Sequence, residues 1–528
     1  MEPVPPVLES LSPATGASLG SVLVTAPRDI EAQVRGAAAV QGLWAQLRLR
    51  DRARYMLRAA QAVIDESPEL AELLCREQGR PRAEVELMEI LPAIETLQWL
   101  AEAGPDILRG ERASLSRVMR PRTRARWAYE PLGVVAVLGA AAEPFATPLG
   151  DVAVALMAGN GVVLKPSPYA PLAGERIARV FARAGLPEGL LRVCHGHAET
   201  GRALVDARGV AQVRFTGSFH AGREVGQACA RGVKRAVLDL GGKDAMVVCA
   251  DANVGRAVDG AVWAAFANAG QCGGSVERAY CVHEVHDRFL TGVVAAAGKL
   301  RVGDPLDPTT SLGPLTTRAR LGRLRELLDD AVAGGAVLHC GGALQPAGMS
   351  GPFFSPAVLT GVTPSMRVAR EEAPGPVLVV FAVDSEEAAI AAVNGADAGG
   401  LGASVWTADR YKGARIAREL RVGMVWMNDH LVTRSAPQIP WGGVGGSGIG
   451  RARGAIALRT CAEPKVVTWD PPRGRPFWWF PYDDTLARSG RAVARMRSVR
   501  DADRELAWRE GLVPTLRTAG RWLRTMGR

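Results

Sequence analysis

The chain has 528 residues, of which 48% are hydrophobic and 22% are charged, a composition typical of globular proteins with two or three cores. The formal net charge is +10, but residues 471–528, with 13 Arg against 6 Asp and Glu, carry +7 of it. The preceding 470 residues are therefore nearly neutral. Because the positive charge belongs to a tail and does not form a basic binding face, we exclude nucleic acid as the main partner.

The N-terminus and the cysteines indicate the cellular compartment. The opening "MEPVPPVLES" lacks the basic and apolar pattern of a secretory signal, and the eight cysteines show no C-x-x-C spacing. Charge, Gly or Pro interrupts every apolar stretch before it reaches the ~20 residues of a spanning helix. We therefore predict a cytoplasmic protein in a reducing environment, with no membrane span and no metal site.

Helical periodicity dominates residues 30–108. Apolar residues recur at spacings of three and four in "DIEAQVRGAAAVQGLWAQL" and in "LRAAQAVIDESPELAELLCREQGRP". The step from Gly79 to Pro81 is a helix stop signal. Residues 117–129 then alternate basic with apolar or aromatic side chains, as an exposed strand does, and "PLGVVAVLG" predicts a buried strand.

The middle of the chain alternates short β-branched runs with helical patterns. The strands are predicted at "GVVLKPS", "LLRVCHG", "AQVRFTGS" and "KRAVLDLGG", and the helices at 173–184, 198–206 and 221–230. This alternation is typical of βαβ units around a parallel sheet. A second α/β stretch runs from 244 to about 429, and the Gly-rich residues 440–451 are predicted to be a loop.

The last 58 residues, 471–528, change character to a Pro and aromatic linker followed by Arg-rich helical sequence. Near the C-terminus the helical pattern is weakly amphipathic. Its apolar residues are Leu516, Trp522, Leu523 and Met526, and its basic residues are Arg517, Arg521 and Arg524. Two interpretations stand: the helix lies on anionic lipid, or it packs back on its own protein.

The segment "RFTGSFHAGREV" carries the strongest local signal for a ligand. A β run ends at Phe215, and Gly217 and Gly222 flank the start of the next helix. A strand, a glycine turn and a helix N-terminus together bind a dinucleotide pyrophosphate through free N–H groups and the helix dipole. The alternative is a purely structural βα turn, because the G-x-G-x-x-G form is absent.

Two polar residues follow predicted strands. Lys165 in "VVLKPS" lies at the carboxyl edge of the predicted sheet, where ligands bind, and its cation suits ribose hydroxyls or phosphate. Asp239 in "VLDLGGK" ends another strand and can act as a general base if its surroundings raise its pKa. The alternatives are an ordinary surface lysine and a turn or cap aspartate.

The segment "NAGQCGG" places the thiol of Cys272 among small residues, where a substrate can approach closely. An exposed cysteine in such a setting is a candidate nucleophile. The alternative is a structural cysteine, one of the eight in the chain.

In order along the chain, these segments resemble the aldehyde dehydrogenase superfamily over about residues 5–470. The matching segments include "AGNGVVLKPS", "RFTGS", "LDLGGKDAMVV", "NAGQ", "REEAPGPVL" and "PWGGVGGSGIGR". The resemblance implies an α/β fold with a Rossmann-type NAD(P)-binding domain, an α/β catalytic domain and a β oligomerisation arm. It also implies a homodimer or homotetramer that oxidises an aldehyde, a small-molecule substrate, to a carboxylic acid.

The resemblance also implies the domain boundaries. The NAD(P)-binding domain is predicted at 1–110 and 131–240, the oligomerisation arm at 111–130 and 455–470, and the catalytic domain at 241–454. The Arg-rich extension 471–528 lies outside the family, and its two interpretations stay open: peripheral contact with anionic membrane, or packing against its own protein or a neighbouring subunit.

The cofactor positions of the family match this chain well. Lys165 corresponds to the ribose-binding lysine, Ser218 to the pyrophosphate-contacting serine and Glu372 to the glutamate of the nicotinamide ribose. Pro168 stands where NAD-preferring members often carry an acid, so the predicted cofactor is NAD or NADP. The predicted cofactor-binding residues are Lys165, Ser167, Gly217, Ser218, Gly222 and Glu372.

The catalytic positions match less well. In the family a cysteine thiolate attacks the aldehyde, an Asn amide holds the oxyanion and a Glu activates water. The register set by Gly270, Gln271 and Arg278 puts the nucleophile position at Gly273, with Cys272 one residue before it.

Three further positions of the family pattern differ. Counting back 18 residues from Asn160 puts Ala142 at the oxyanion Asn. Asp239 stands for the general-base Glu, and Pro374 for an aromatic residue beside the nicotinamide. We therefore predict an aldehyde dehydrogenase with an impaired or unusual site, with Cys272 and Asp239 as its catalytic residues. The alternative is a noncatalytic relative that binds nucleotide and acts as a partner or scaffold subunit.

Overall fold

A computed structural model describes residues 6–115, 123–395, 399–431, 435–470, 476 and 478–526. The chain forms two compact units. One consists of Met1–Arg109 and Tyr129–Pro464, and the other of Gly110–Ala128 and Lys465–Arg528. The domain boundaries that the resemblance implies stay a prediction.

The helices and strands alternate through most of the chain. The helices are α1 (Ile30–Ala45), α2 (Leu49–Asp65), α3 (Ser67–Gln78), α4 (Arg82–Val85), α5 (Leu91–Leu108), α6 (Ala146–Met157), α7 (Pro171–Arg183), α8 (Ala198–Asp206), α9 (Phe219–Arg231), α10 (Val254–Phe266), α11 (His283–Ala297), α12 (Arg318–Ala333), α13 (Arg367–Arg370), α14 (Glu386–Asn394), α15 (Arg410–Glu419), α16 (Gly454–Thr460), α17 (Asp484–Arg495) and α18 (Asp501–Met526). The strands are β1 (Val7–Leu11), β2 (Ser18–Leu23), β3 (Glu111–Ala113), β4 (Arg124–Pro131), β5 (Val134–Leu138), β6 (Gly161–Lys165), β7 (Leu191–Val193), β8 (Val210–Gly217), β9 (Arg235–Leu240), β10 (Asp244–Val248), β11 (Val276–Val282), β12 (Val337–Leu344), β13 (Phe353–Thr360), β14 (Val377–Val383), β15 (Gly402–Trp406), β16 (Met424–Met427), β17 (Gly448–Ile449) and β18 (Ala462–Trp469).

A six-stranded sheet in the order β17-β9-β8-β5-β6-β7 organises the first half of the larger unit. Strands β5 to β9 run parallel to one another, which confirms the predicted α/β class, and the edge strand β17 is antiparallel to β9. The chain leaves the central strand β5 towards β6 and β7 and later returns to its other side as β8 and β9. Ligands bind at such a change of direction, outside the carboxyl ends of the strands.

Both faces of this sheet are buried. Successive strand side chains point to opposite faces, so Val135 and Val137 of β5 pack with α2, α5 and α6, while Val134 and Ala136 pack with α1. The run "VVAVL" is apolar at every position because neither face meets water.

A second, seven-stranded sheet has the order β12-β13-β14-β11-β10-β15-β16, and only its edge strand β12 is antiparallel to its neighbour. It corresponds to the predicted second α/β stretch. The predicted helix stop is confirmed, because α3 ends at Gln78 and Gly79 adopts the left-handed conformation with φ +74°.

The Gly-rich segment 440–451 was wrongly predicted to be loop throughout. It contains a short 3₁₀ turn, Gly445–Ser447, followed by the two-residue strand β17, which pairs with β9. Glycine makes this pairing possible, because Gly448 has φ +134° and a Cβ there would lie 2.0 Å from the carbonyl oxygen of Leu238.

The smaller unit contains the sheet β18-β4-β3 and a hairpin of α17 and α18. The predicted exposed strand at 117–129 appears as β4 from Arg124 onward, and its residues 117–122 lie outside the described residues. The predicted arm segment 455–470 is helical in its first six residues, because α16 extends to Thr460. None of the helices in the described ranges is both long and apolar enough to cross a membrane.

Candidate active site

A cavity of about 690 Å³ lies within the larger unit, at the carboxyl ends of β6, β8 and β9. Its size is that of a typical ligand pocket. The opposite wall comes from the loop that contains residues 270–273 and from the segment that follows α13. Seven of the eight predicted site residues line it: Lys165, Ser167, Gly217, Ser218, Asp239, Cys272 and Glu372.

Lys165 is the last residue of β6, and its buried ammonium faces this cavity. Burial lowers the pKa of Lys165 to about 8, against the opposing effect of the Glu199 carboxylate. Its Nζ donates a hydrogen bond to the carbonyl of Pro166 at 3.0 Å. The Ser167 hydroxyl accepts from the N–H of Tyr169 at 3.2 Å, which orders the turn after β6. A buried ammonium beside a cavity is suited to hydroxyl or phosphate oxygens of a ligand.

The glycine turn after β8 leads directly into α9. Ser218 is the N-cap of α9, and its hydroxyl accepts from the N–H of Ala221 at 3.3 Å. Gly217, Ser218 and Ala221 line the cavity, so the positive end of the helix faces it. Gly222 lies elsewhere, on the side of α9 that packs on β9, where a Cβ would lie 2.2 Å from Cδ2 of Leu240. Its missing side chain brings helix and sheet close together.

Glu372 reaches into the cavity from the other wall. A Cβ on Gly241 would lie 2.1 Å from Oε2 of Glu372, so this glycine leaves room for the carboxylate. Although the side chain is open to the cavity, loss of hydration and the nearby Glu277 carboxylate raise its pKa to about 7. Arg320 and Lys243 oppose that rise.

Together these residues fit a dinucleotide cofactor. The ammonium of Lys165 and the N-terminus of α9 would hold ribose and phosphate oxygens, and Glu372 would accept hydrogen bonds from a second ribose. The chemistry of the donor set therefore matches NAD(P), in the cavity where the sequence predicted it.

Asp239 lies on the cavity wall near the end of β9. Its Oδ2 accepts a hydrogen bond from Nε1 of Trp441 at 3.1 Å. Loss of hydration and the nearby Asp151 carboxylate raise the pKa of Asp239 to about 7, against the opposing effect of Arg453. A carboxylate with a pKa near neutrality can accept a proton at physiological pH.

A set of buried charges around Asp239 escaped the sequence reasoning. Asp151 on α6 is buried, and its Oδ1 accepts from Nε of Arg214 on β8 at 2.7 Å. Arg453, just before α16, lines the cavity together with Asp151. The available signal was a charge inside an apolar run, in "GDVAVALM" for Asp151 and in "AQVRFTG" for Arg214.

The thiol of Cys272 is buried, with only 7% of the residue exposed. Its Sγ donates weakly to the carbonyl of Ala267 at 3.6 Å, and Nη2 of Arg80 lies 3.9 Å from it. Burial raises the pKa of Cys272 to about 12, although the Arg80 guanidinium opposes the rise. Cys272 therefore lacks the exposure and the low pKa that reactive cysteines show.

Gly273 lines the cavity as Cys272 does, but it is less enclosed. A Cβ built on it would meet no atom within 4 Å. Ala142 also lines the cavity, and its carbonyl accepts from Nη2 of Arg80 at 3.1 Å and from Nδ2 of Asn268 at 3.3 Å. A side chain at position 273 would thus project into open space.

The backbone before Cys272 is strained. Asn268 and Ala269 have φ values of +53° and +52°, which non-glycine residues rarely adopt. The N–H of Asn268 donates to Oε2 of Glu84 at 2.9 Å, which holds the turn in place. Strain of this kind clusters at ligand sites, and no local sequence pattern indicated it.

Comparison with known proteins agrees with this geometry. The model of the "Aldehyde dehydrogenase family" matches residues 3–467. The chain is 34% identical over 455 residues to a betaine aldehyde dehydrogenase of Cereibacter sphaeroides, which covers 86% of this chain and 92% of the relative.

Solved structures give the same result. An aldehyde dehydrogenase of Mycobacterium tuberculosis complexed with NAD⁺ superposes with a TM-score of 0.83 at 33% identity, over 87% of this chain and 94% of the other. An NADP-dependent enzyme of E. coli superposes with a TM-score of 0.84 at 30% identity, over 88% and 95%.

Proposed function

This chain belongs to the aldehyde dehydrogenase family, whose enzymes oxidise aldehydes with NAD(P), and from that premise we propose that its site works in an altered way. It binds NAD(P) in the cavity, while the covalent route through a cysteine thiolate is weak or absent. The observation that carries the proposal is the contrast between Cys272, a buried thiol, and Gly273, which faces open space.

The ionisation of Cys272 supports this proposal. A thiol with a pKa of about 12 is ionised in only about one molecule in 10⁵ at pH 7, and the thiolate is the reactive form. Arg80 lies beside the thiol, yet burial outweighs its attraction. Attack by Cys272 on an aldehyde in the cavity would require the loop 270–273 to rearrange.

The loss of the oxyanion donor also supports a weak or absent covalent route. Ala142 has no side-chain amide, and its carbonyl oxygen is an acceptor already engaged by Arg80 and Asn268. Removal of one oxyanion donor typically lowers kcat by about 10²–10³. Asp239 retains the carboxylate of a general base, so the missing thiol and amide are the larger defects.

The first prediction concerns the missing nucleophile. Gly273→Cys is expected to raise aldehyde-dependent NAD(P)H formation by at least about tenfold, because it restores a thiol that projects into the cavity. Cys272→Ser is expected to leave the low wild-type rate unchanged. Steady-state absorbance at 340 nm with a panel of aldehydes measures both.

A matched control variant tests whether a new thiol elsewhere in the chain has the same effect. Gly322→Cys introduces a thiol at another glycine with open space around its Cβ, on α12 and away from the cavity. It should show the wild-type rate. A fast wild type that Cys272→Ser abolishes would contradict the proposal, since it would make Cys272 the nucleophile.

A noncatalytic role is the second candidate. The cavity favours this role because its nucleotide side keeps Lys165, Ser218 and Glu372. The nucleophile position, in contrast, is Gly273 and has no side chain. Calorimetric titration with NAD⁺ and NADP⁺ separates the two: binding without turnover of any aldehyde supports a nucleotide-binding partner subunit. The aldehyde panel includes betaine aldehyde, because a relative of this chain is named for it.

A further inference from the structure

The helical hairpin of the smaller unit is packed by small side chains. Ser489 and Ala492 of α17 are buried against Ala507, Gly511 and Thr518 of α18. A Cβ on Gly511 would lie 2.0 Å from Cβ of Ala492, so the two helices approach closely. The hydroxyls of Ser489 and Thr518 share a hydrogen bond of 2.8 Å. Small residues at a helix interface let the two backbones approach closely.

The large apolar side chains of α18 lie on its outside. Trp508, Leu512 and Leu516 are 60%, 41% and 62% exposed. Their spacing of four residues places them on one face of the helix, which we call the apolar stripe. Val513 beside it is 55% exposed. This arrangement is the reverse of a helix in water, whose large apolar residues face the core.

The charge around the apolar stripe indicates what covers it. Arg509 follows Trp508 by one position, about 100° around the helix, and therefore borders the stripe. The Arg509 side chain is 74% exposed and forms an ion pair with the exposed Glu505 one turn before it. Residues 471–528 carry +7 in total. A cationic segment with Trp and Leu on one helix face matches the interface of an anionic bilayer, where rings and alkyl groups insert and guanidinium groups meet phosphates.

We propose that α18 lies on an anionic lipid surface with Trp508, Leu512 and Leu516 inserted at the level of the headgroups. The small-residue contact with α17 keeps the hairpin together while its large apolar residues face lipid. None of the stripe residues lines the cavity, so this inference goes beyond the proposed function.

Flotation of the full chain with lipid vesicles tests the proposal. The wild type should float with phosphatidylglycerol vesicles, less so at high salt, and not with phosphatidylcholine vesicles. Leu512→Ser with Leu516→Ser should lower the vesicle partition coefficient by about tenfold or more, because two inserted side chains are lost. The matched control changes two exposed leucines on α1 and α2, Leu43→Ser with Leu57→Ser, and should float like the wild type.

Several outcomes would overturn the inference. Absence of flotation by the wild type would do so, as would equal flotation of the two double variants. A lower molecular mass for the Leu512→Ser, Leu516→Ser variant in light scattering, without flotation of the wild type, would instead assign the stripe to a second copy of the chain.

A second measurement does not depend on the folding of that variant. Trp508→Phe should remove the part of the tryptophan fluorescence that brominated phosphatidylglycerol quenches, because Trp508 is the inserted indole of the stripe. Unchanged quenching in Trp508→Phe would contradict the placement of the stripe in the bilayer.

Discussion

At the residue scale, two neighbours in one loop have opposite environments. Cys272 is buried beside Arg80, whereas Gly273 faces the open cavity. The two residues lie in a turn, and a shift of one position there separates a buried thiol from a position that opens onto the cavity. The same site holds Asp239, whose protonation the fold alters.

The second prediction concerns the pH dependence of stability. Because the pKa of Asp239 is raised to about 7 in the folded protein, the folded state binds its proton more tightly than the unfolded chain. The tighter proton binding stabilises the folded state fully below about pH 4, and this stabilisation is lost as the pH rises to about 7. Its upper limit is about 4 kcal/mol, and partial exposure of Asp239 to the cavity makes it smaller.

The Tm of Asp239→Asn should therefore increase relative to the Tm of the wild type as the pH rises from 5 to 8. The asparagine oxygen can still accept from Trp441, and it carries no charge to bury. Asp329→Asn, at an exposed position of α12, should show no such trend. A difference in Tm that stays constant across this range would contradict the raised pKa.

At the scale of elements, the short strand β17 ties the Gly-rich segment to β9 next to the site. Gly448 pairs with Asp239, and Trp441 from the same segment donates a hydrogen bond to that carboxylate. Correct placement of Asp239 therefore depends on a contact that only glycine permits. The packing of α9 on β9 through Gly222 follows the same principle.

The third prediction tests this element. Gly448→Ala should lower the free energy of unfolding by about 3 kcal/mol or more, because it combines a forbidden φ with a Cβ 2.0 Å from the carbonyl oxygen of Leu238. Gly445→Ala is the matched control: its φ is +59° and its Cβ would meet no atom within 4 Å. It should cost only about 1 kcal/mol. Equal losses in chemical denaturation would show that β17 does not depend on close approach.

At the scale of the whole molecule, the smaller unit presents surface that a single chain leaves open. All seven residues of β18 after Ala462 are exposed, including Val466 at 67% and Trp469 at 54%. Exposed strands pair with other chains unless something blocks them. We therefore propose, in line with the arm that the resemblance implies, that β18 contributes to the interface of a homodimer or homotetramer.

The fourth prediction tests whether β18 contributes to a subunit interface. Val466→Asp should lower the molecular mass in light scattering at micromolar concentration, because a charge would have to be buried at the interface. Val337→Asp serves as the control, because Val337 lies on the edge strand β12 and is 52% exposed. An unchanged mass for Val466→Asp would exclude β18 from the interface.

The sequence by itself determined the α/β class, the family and the register that puts Gly273 at the nucleophile position. These follow from local patterns and from motif spacing, which a linear chain preserves. The tertiary structure decided what surrounds those residues. Arg80 meets Cys272 across 192 positions, and Arg214 meets Asp151 across 63.

The physical reason is that a pKa depends on burial and on neighbouring charges, and both arise only when distant segments pack. The apolar stripe of α18 follows the same logic. The sequence indicated an amphipathic helix, but packing decided that its small residues meet α17 and its large ones face outward.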